Sequence, residues 1–172
     1  MLRDAPPFVR IRGFSLLEVL VSAFILSILS VSVIHGLTTL EIESRLAKDR
    51  TRSALLAADL REEILSKASV DPNGDAVLGR EPGESGSDRI SYDDQDDYHG
   101  LTDRPVSDVR GSALPGMERI WRVCRVESVS ASRPEGGAID TSPMGLRRFT
   151  VSIYKDQIEL AHLTWLGVGQ GR

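Results

Sequence analysis

From Val19 to Leu40 the chain carries 22 residues without an Asp, Glu, Lys or Arg. At about 1.5 Å rise per residue, a helix of that length covers roughly 33 Å, the hydrocarbon thickness of a bilayer. Its polar positions are only Ser, Thr, Gly and His35, too few for the wet face that a soluble helix needs. Beyond it, Ile42, Leu46, Ser53, Leu56, Ala57, Leu60 and Ile64 recur at three-, four- and seven-residue spacings, which draws one apolar stripe. Glu41 and Arg45 add a favourable i,i+4 pair. Asp71-Pro72-Asn73-Gly74 then stops the helix, because proline cannot continue it and Asn-Gly favours a turn. The pattern predicts one rod over 15–68, apolar all round in its first half and one-faced in its second.

The last third alternates instead. Ile120 to Val129 has strand composition, and in 148–154 Phe149, Val151 and Ile153 point one way while Arg148, Thr150, Ser152 and Tyr154 point the other. Lys155-Asp156 separates this strand from Ile158–Trp165, as in a hairpin with a short turn. His162 and Trp165 read as strand packing, and Cys124 as a small core residue. Three strands with one apolar face need a cover, and the one-faced half of the rod supplies it. The expected fold is α+β, a long N-terminal helix packed on a small antiparallel sheet. Its segments are a spanning helix to residue 40, an amphipathic continuation over 41–70, a variable loop region over 71–118 and the sheet over 119–172. Within the loop, one short strand is expected at Arg89-Ile90-Ser91-Tyr92.

Charge adds direction. The 172 residues carry 21 Lys and Arg against 25 Asp and Glu, a formal charge of −4. The first 13 hold Arg3, Arg10 and Arg12 against Asp4, so the remainder has 18 basic and 24 acidic side chains, a net of −6. An excess of arginine before the apolar run places that end in the cytoplasm and residues 41–172 outside. Few aromatics and a net negative charge exclude a nucleic-acid surface. No phosphate-binding glycine loop or Ser/His/Asp arrangement stands out, so no enzyme is expected. One loop, Asp93-Asp94-Gln95-Asp96-Asp97-Tyr98-His99-Gly100, gathers four carboxylates. Hard cations want several oxygen ligands, so Asp93, Asp94, Asp96 and Asp97 are candidate calcium ligands; the alternative is a solvated acidic loop.

Glu18 sits just inside the apolar helix. A carboxylate at mid-membrane costs about 2.5–3.5 kcal/mol on insertion scales, and intramembrane carboxylates tend to be paired. Near the helix start the cost is lower, and the dipole favours a negative charge there by about 0.3–1 kcal/mol. A basic leader ending in Gly13, then Phe14-Ser15-Leu16-Leu17-Glu18-Val19-Leu20-Val21 and a long apolar helix, resembles the type IV prepilin signature. Among prepilin-like proteins, the I-type minor pseudopilins of type II secretion are most similar, and a minor type IV pilin also fits. The resemblance is close from Arg10 to about residue 69 and holds only in outline beyond.

It implies that a prepilin peptidase removes residues 1–13 by cutting between Gly13 and Phe14, then N-methylates Phe14. It further implies that Glu18 of an incoming subunit faces the new amine of its neighbour. Other pilins or pseudopilins become partners through their N-terminal helices, with Ser22, Ala23, Ser27 and Ser30 permitting close approach. The chain would sit in the bacterial inner membrane with a periplasmic head until it enters the filament. Some pseudopilins hold calcium in loops like this acidic one. Where relatives often place a helix-loosening proline, this span has His35-Gly36 instead. The rival reading is a single-pass protein whose outer domain binds a ligand or ion without forming a filament.

Overall fold

The computed structural model describes Gly13 and residues 15–72, 78–84, 88–139 and 145–169. The chain divides into two compact units, Met1–Leu46 and Ala47–Arg172. The first is the apolar part of a single helix, α1, which runs Leu16–Leu65. Its side chains are exposed throughout, among them Leu20, Phe24, Ile28, Leu29 and Leu37, and the helix is long and apolar enough to cross a membrane. The serines do not interrupt it. Ser27, Ser30 and Ser32 return their hydroxyls to the carbonyls of Ala23, Leu26 and Ile28 at 2.8–2.9 Å, so these three hydroxyls need no outside partner.

In the second unit the final turns of α1 carry the predicted stripe. Ser53, Leu56, Ala57, Leu60 and Ile64 are buried, whereas Ile42 and Leu46 at its start are exposed. Full burial stabilises a Leu or Ile by about 1.5–3 kcal/mol, so Leu60 and Ile64 are the strongest anchors of the helix on the head. α1 ends at Leu65, three residues short of the predicted end at residue 68, with Ser66 donating both backbone N–H and hydroxyl to carbonyls of the last turn.

Four antiparallel strands lie in sequence order: β1 (Thr102–Asp103), β2 (Ile120–Ser128), β3 (Leu146–Lys155) and β4 (Ile158–Val168). The alternation reads as expected. Cys124, Val126, Phe149, Val151 and Ile153 are buried with Leu56, Ala57, Leu60 and Ile64 in one core, and Trp165 stacks on Phe149 at 5.2 Å. The architecture is therefore a pilin-like α+β arrangement. Cys124 sits wholly within it, and burial pushes its thiol up to about 12. His162 is exposed and pairs with Glu159 at 3.2 Å, so it lies outside the packing expected of it. Between β3 and β4, Asp156 takes a left-handed backbone (φ 57°), which a short polar side chain tolerates. Arg119 and Trp121 Nε1 both hydrogen-bond this residue.

The strand expected at residues 89–92 is a turn. Asp88 ties it locally: its carboxylate accepts from Ile90 N–H and its carbonyl accepts from Ser91 Oγ. The additional strand is β1, only two residues long. The region expected to be a loop also supplies core, with Tyr92, Tyr98, Leu101, Val106 and Met117 buried.

Candidate functional site

Ser15 opens α1. Its hydroxyl accepts the Glu18 N–H at 3.2 Å, while its carbonyl accepts from Glu18 and Val19 at 3.0 and 3.2 Å. Ser-x-x-Glu is the sequence of a capping box, and the Ser15 half of it is made here. The cap satisfies one of the free N–H groups at a helix start, an effect of about 1 kcal/mol. Glu18, the acidic residue of the first turn, is exposed. Gly13 lies just before the cap, exposed, with nothing within 4 Å of where a side chain would begin. Phe14, the residue expected to become the methylated N-terminus, lies outside the described residues. Ser15 was not among the expected site residues, although its three-residue spacing to Glu18 signals the helix cap that it makes.

Residues 9–34 match the family model of the prokaryotic N-terminal methylation motif. The chain carries that motif. It contains Gly13, Phe14, Ser15 and Glu18, and reaches along the apolar helix to Ile34. No curated protein and no solved structure matches the chain. The methylation motif thus speaks for the start of α1, and the head is known through its own structure.

The acidic loop folds into a 3₁₀ turn, Asp96–Tyr98, and its four aspartates go to different tasks. Asp97 Oδ2 accepts the N–H groups of Asp93 and Asp94 at 2.9 and 3.1 Å, and Asp94 Oδ1 accepts those of Asp96 and Asp97 at 2.7 and 3.2 Å. Asp96 forms an ion pair with Arg147 and accepts from Gly79 N–H. The carboxylates that converge are Glu84, Asp93 and Asp97, with one oxygen of each within 4.8 Å of the others. Asp94 and Asp96 lie outside that group, and Glu84 was absent from the expected ligand set because it is nine residues upstream. An all-oxygen set of this kind suits a hard cation such as calcium. His99 takes no part: its Nδ1 accepts the Val126 N–H at 3.2 Å.

Burial, with Asp96 next to it, pushes the Asp94 carboxyl up to about 8. Burial also raises Asp97, to about 6, with Glu84 adding to the shift and the Asp94 N–H opposing it. Both therefore hold protons in the folded chain at pH values where the unfolded chain, near 3.8, has released them. Their stabilising contribution is complete below about pH 4 and is lost as pH rises toward 8. The head should melt at lower temperature at pH 8 than at pH 5.5, by a few kcal/mol in stability. Thermal unfolding followed by circular dichroism checks this, and a melting temperature that does not fall across that range contradicts it. Added calcium should recover the difference at pH 8 if Glu84, Asp93 and Asp97 hold the ion.

A second polar cluster lies under the helix. Arg89 is fully buried, its Nε and Nη2 on the two Glu63 oxygens at 2.7 and 3.3 Å, and Nη1 on Asp103 at 3.4 Å. Arg122, also buried, donates to Asp103 at 2.7 Å and to the Ser107 carbonyl at 2.7 Å. Tyr98 Oη donates to Glu63 at 2.9 Å, and Ser107 donates to Asp103 through both N–H and hydroxyl. Two cations meet two anions, and each is also hydrogen-bonded. Desolvation opposes the Arg89 charge, but Glu63 and Asp103 outweigh it and raise its pKa. The arrangement joins the last turns of α1 to β1 and β2, and its chemistry is structural.

Proposed function

We propose that the chain is a minor subunit of a type II secretion pseudopilus or a type IV pilus. The methylation motif at the start of an exposed apolar helix carries the reading. A prepilin peptidase would cut after Gly13 and methylate Phe14, leaving residues 14–40 to cross the inner membrane and 41–172 to form the periplasmic part. Glu18 then lies four residues from the new amine, one helical turn away. Each group is costly in lipid when alone. On neighbouring helices they neutralise one another, which favours the register in which subunits stack. The helix and head act as structure, without catalysis.

Mass spectrometry of chain purified from its own membranes tests this directly. The expected N-terminus is Phe14 carrying one methyl group. A mature protein that retains residues 1–13 speaks against a filament role and for the alternative, a membrane-anchored ion-binding head. The convergence of Glu84, Asp93 and Asp97 is the observation that favours that alternative, though an ion there is equally compatible with a filament subunit.

A further inference from the structure

Arg89, Arg119, Arg122, Arg147 and Arg148 each meet a carboxylate. Two exposed arginines, Arg80 and Arg104, do not, among the described residues. Arg80 Nη1 makes a long hydrogen bond to the Tyr92 hydroxyl at 3.5 Å, and the Arg104 guanidinium lies over the Trp121 ring, 5.7 Å from its centre. An uncharged aromatic side chain therefore holds each guanidinium and leaves its charge uncompensated.

Both arginines line one pocket of about 420 Å³, within the size range of small-ligand sites. Asp103 is the one carboxylate among the described residues lining it, and its oxygens are already engaged. Four donors converge on them, from Arg89, Arg122 and both the N–H and the hydroxyl of Ser107. Asp156 lies within electrostatic reach of Arg104 but is bonded twice by Arg119. Pro105 and Ala113 give the pocket an apolar wall. Thr102 adds a main-chain donor. The Leu101 carbonyl accepts from Cys124 N–H, so in the alternating register the next residue turns its N–H away from β2.

We infer that this pocket binds an organic carboxylate, with its oxygens on Arg80 and Arg104 and a short apolar body against Pro105 and Ala113. The planar fork of a guanidinium matches the two oxygens of a carboxylate. Each arginine is held before a ligand arrives, so less side-chain freedom is lost on binding. Inorganic phosphate would satisfy the arginines but leave the apolar wall unused. The chemistry is shared by a free short-chain dicarboxylic acid and by a glutamate side chain of another protein. The site belongs to the head, and it stands whether or not the chain enters a filament.

The test titrates the full-length chain in detergent, at fixed ionic strength, with three probes. These are glutarate, a capped five-residue peptide with one central glutamate, and inorganic phosphate. Binding is read by calorimetry and by tryptophan fluorescence, to which Trp121 beneath Arg104 contributes. Saturable binding of glutarate or of the peptide is expected, with phosphate weaker. Arg80→Gln and Arg104→Gln should each lower the affinity by about tenfold or more, the usual effect of losing a charged hydrogen bond. Arg110→Gln, an exposed arginine outside the pocket lining, should change nothing. Glutarate binding assigns a free acid, and binding of the peptide alone assigns a protein side chain. Melting curves of the variants separate lost binding from lost folding. Where a glutamine variant melts early, Arg80→Lys or Arg104→Lys replaces it, keeping the charge without the fork. No saturable binding of either organic probe, phosphate bound as tightly, or an affinity that survives both pocket substitutions overturns the inference.

Discussion

Glu18→Ala should insert into the membrane and lose its leader normally, yet be nearly absent from assembled filaments. Insertion should if anything improve, because a carboxylate near the bilayer is removed. The helix start should survive, since Ser15 rather than the Glu18 side chain supplies the observed cap. On the filament reading proposed above, what disappears is the counter-charge for the amine of a neighbouring subunit. Two unit charges about 4 Å apart at an effective dielectric near 20 attract by about 4 kcal/mol, and the unpaired amine would also remain in an apolar bundle. Glu18→Gln, almost the same shape without the charge, should fail in the same way. Processing is read from the N-terminal mass and assembly from the sheared or crosslinked fraction. Wild-type amounts of either variant in that fraction would remove Glu18 from the assembly mechanism.

Arg89→Met should be the most damaging single change in the head. It leaves Glu63 without its cation while Asp103 keeps Arg122, and removing one member of a buried ionic cluster typically costs about 3–5 kcal/mol. The polar link from α1 to β1 goes with it. Adding Glu63→Leu should recover part of the loss, because an apolar pair removes the stranded charge, although Tyr98 then loses its acceptor. Denaturant unfolding of the full chain in detergent measures both. A double variant less stable than Arg89→Met alone would show that Glu63 matters chiefly through Tyr98.

Glu18 and Arg89 also mark how differently the two halves could be read. The carboxylate stood out because its surroundings are apolar for many residues, a signal written in immediate neighbours. The strands β2, β3 and β4 were legible for the same reason: alternation of period two exposes a buried face without knowledge of what covers it. Arg89 gave no such sign. It sits in a polar stretch that reads as loop, and its partners Glu63, Asp103 and Ser107 lie 26, 14 and 18 residues away. The expected strand at residues 89–92 failed on the same ground, since the backbone there turns to deliver the guanidinium into the interior.

The aspartates of the acidic loop repeat the lesson at finer scale. Their types and spacing were plain, but not that Asp96 would be taken by Arg147, 51 residues on, or that Glu84 would join Asp93 and Asp97. The long apolar helix, its stripe from Ser53 to Ile64, the hairpin of β3 and β4, and the motif at the amino end could all be read from the residues alone. Each depends on periodicity or on residues within a turn or two of one another. Which charges share the interior, and which carboxylates converge among the described residues, emerged only once the chain was packed. Those outcomes belong to groups distant in the chain and brought together by packing, and no local pattern records the meeting.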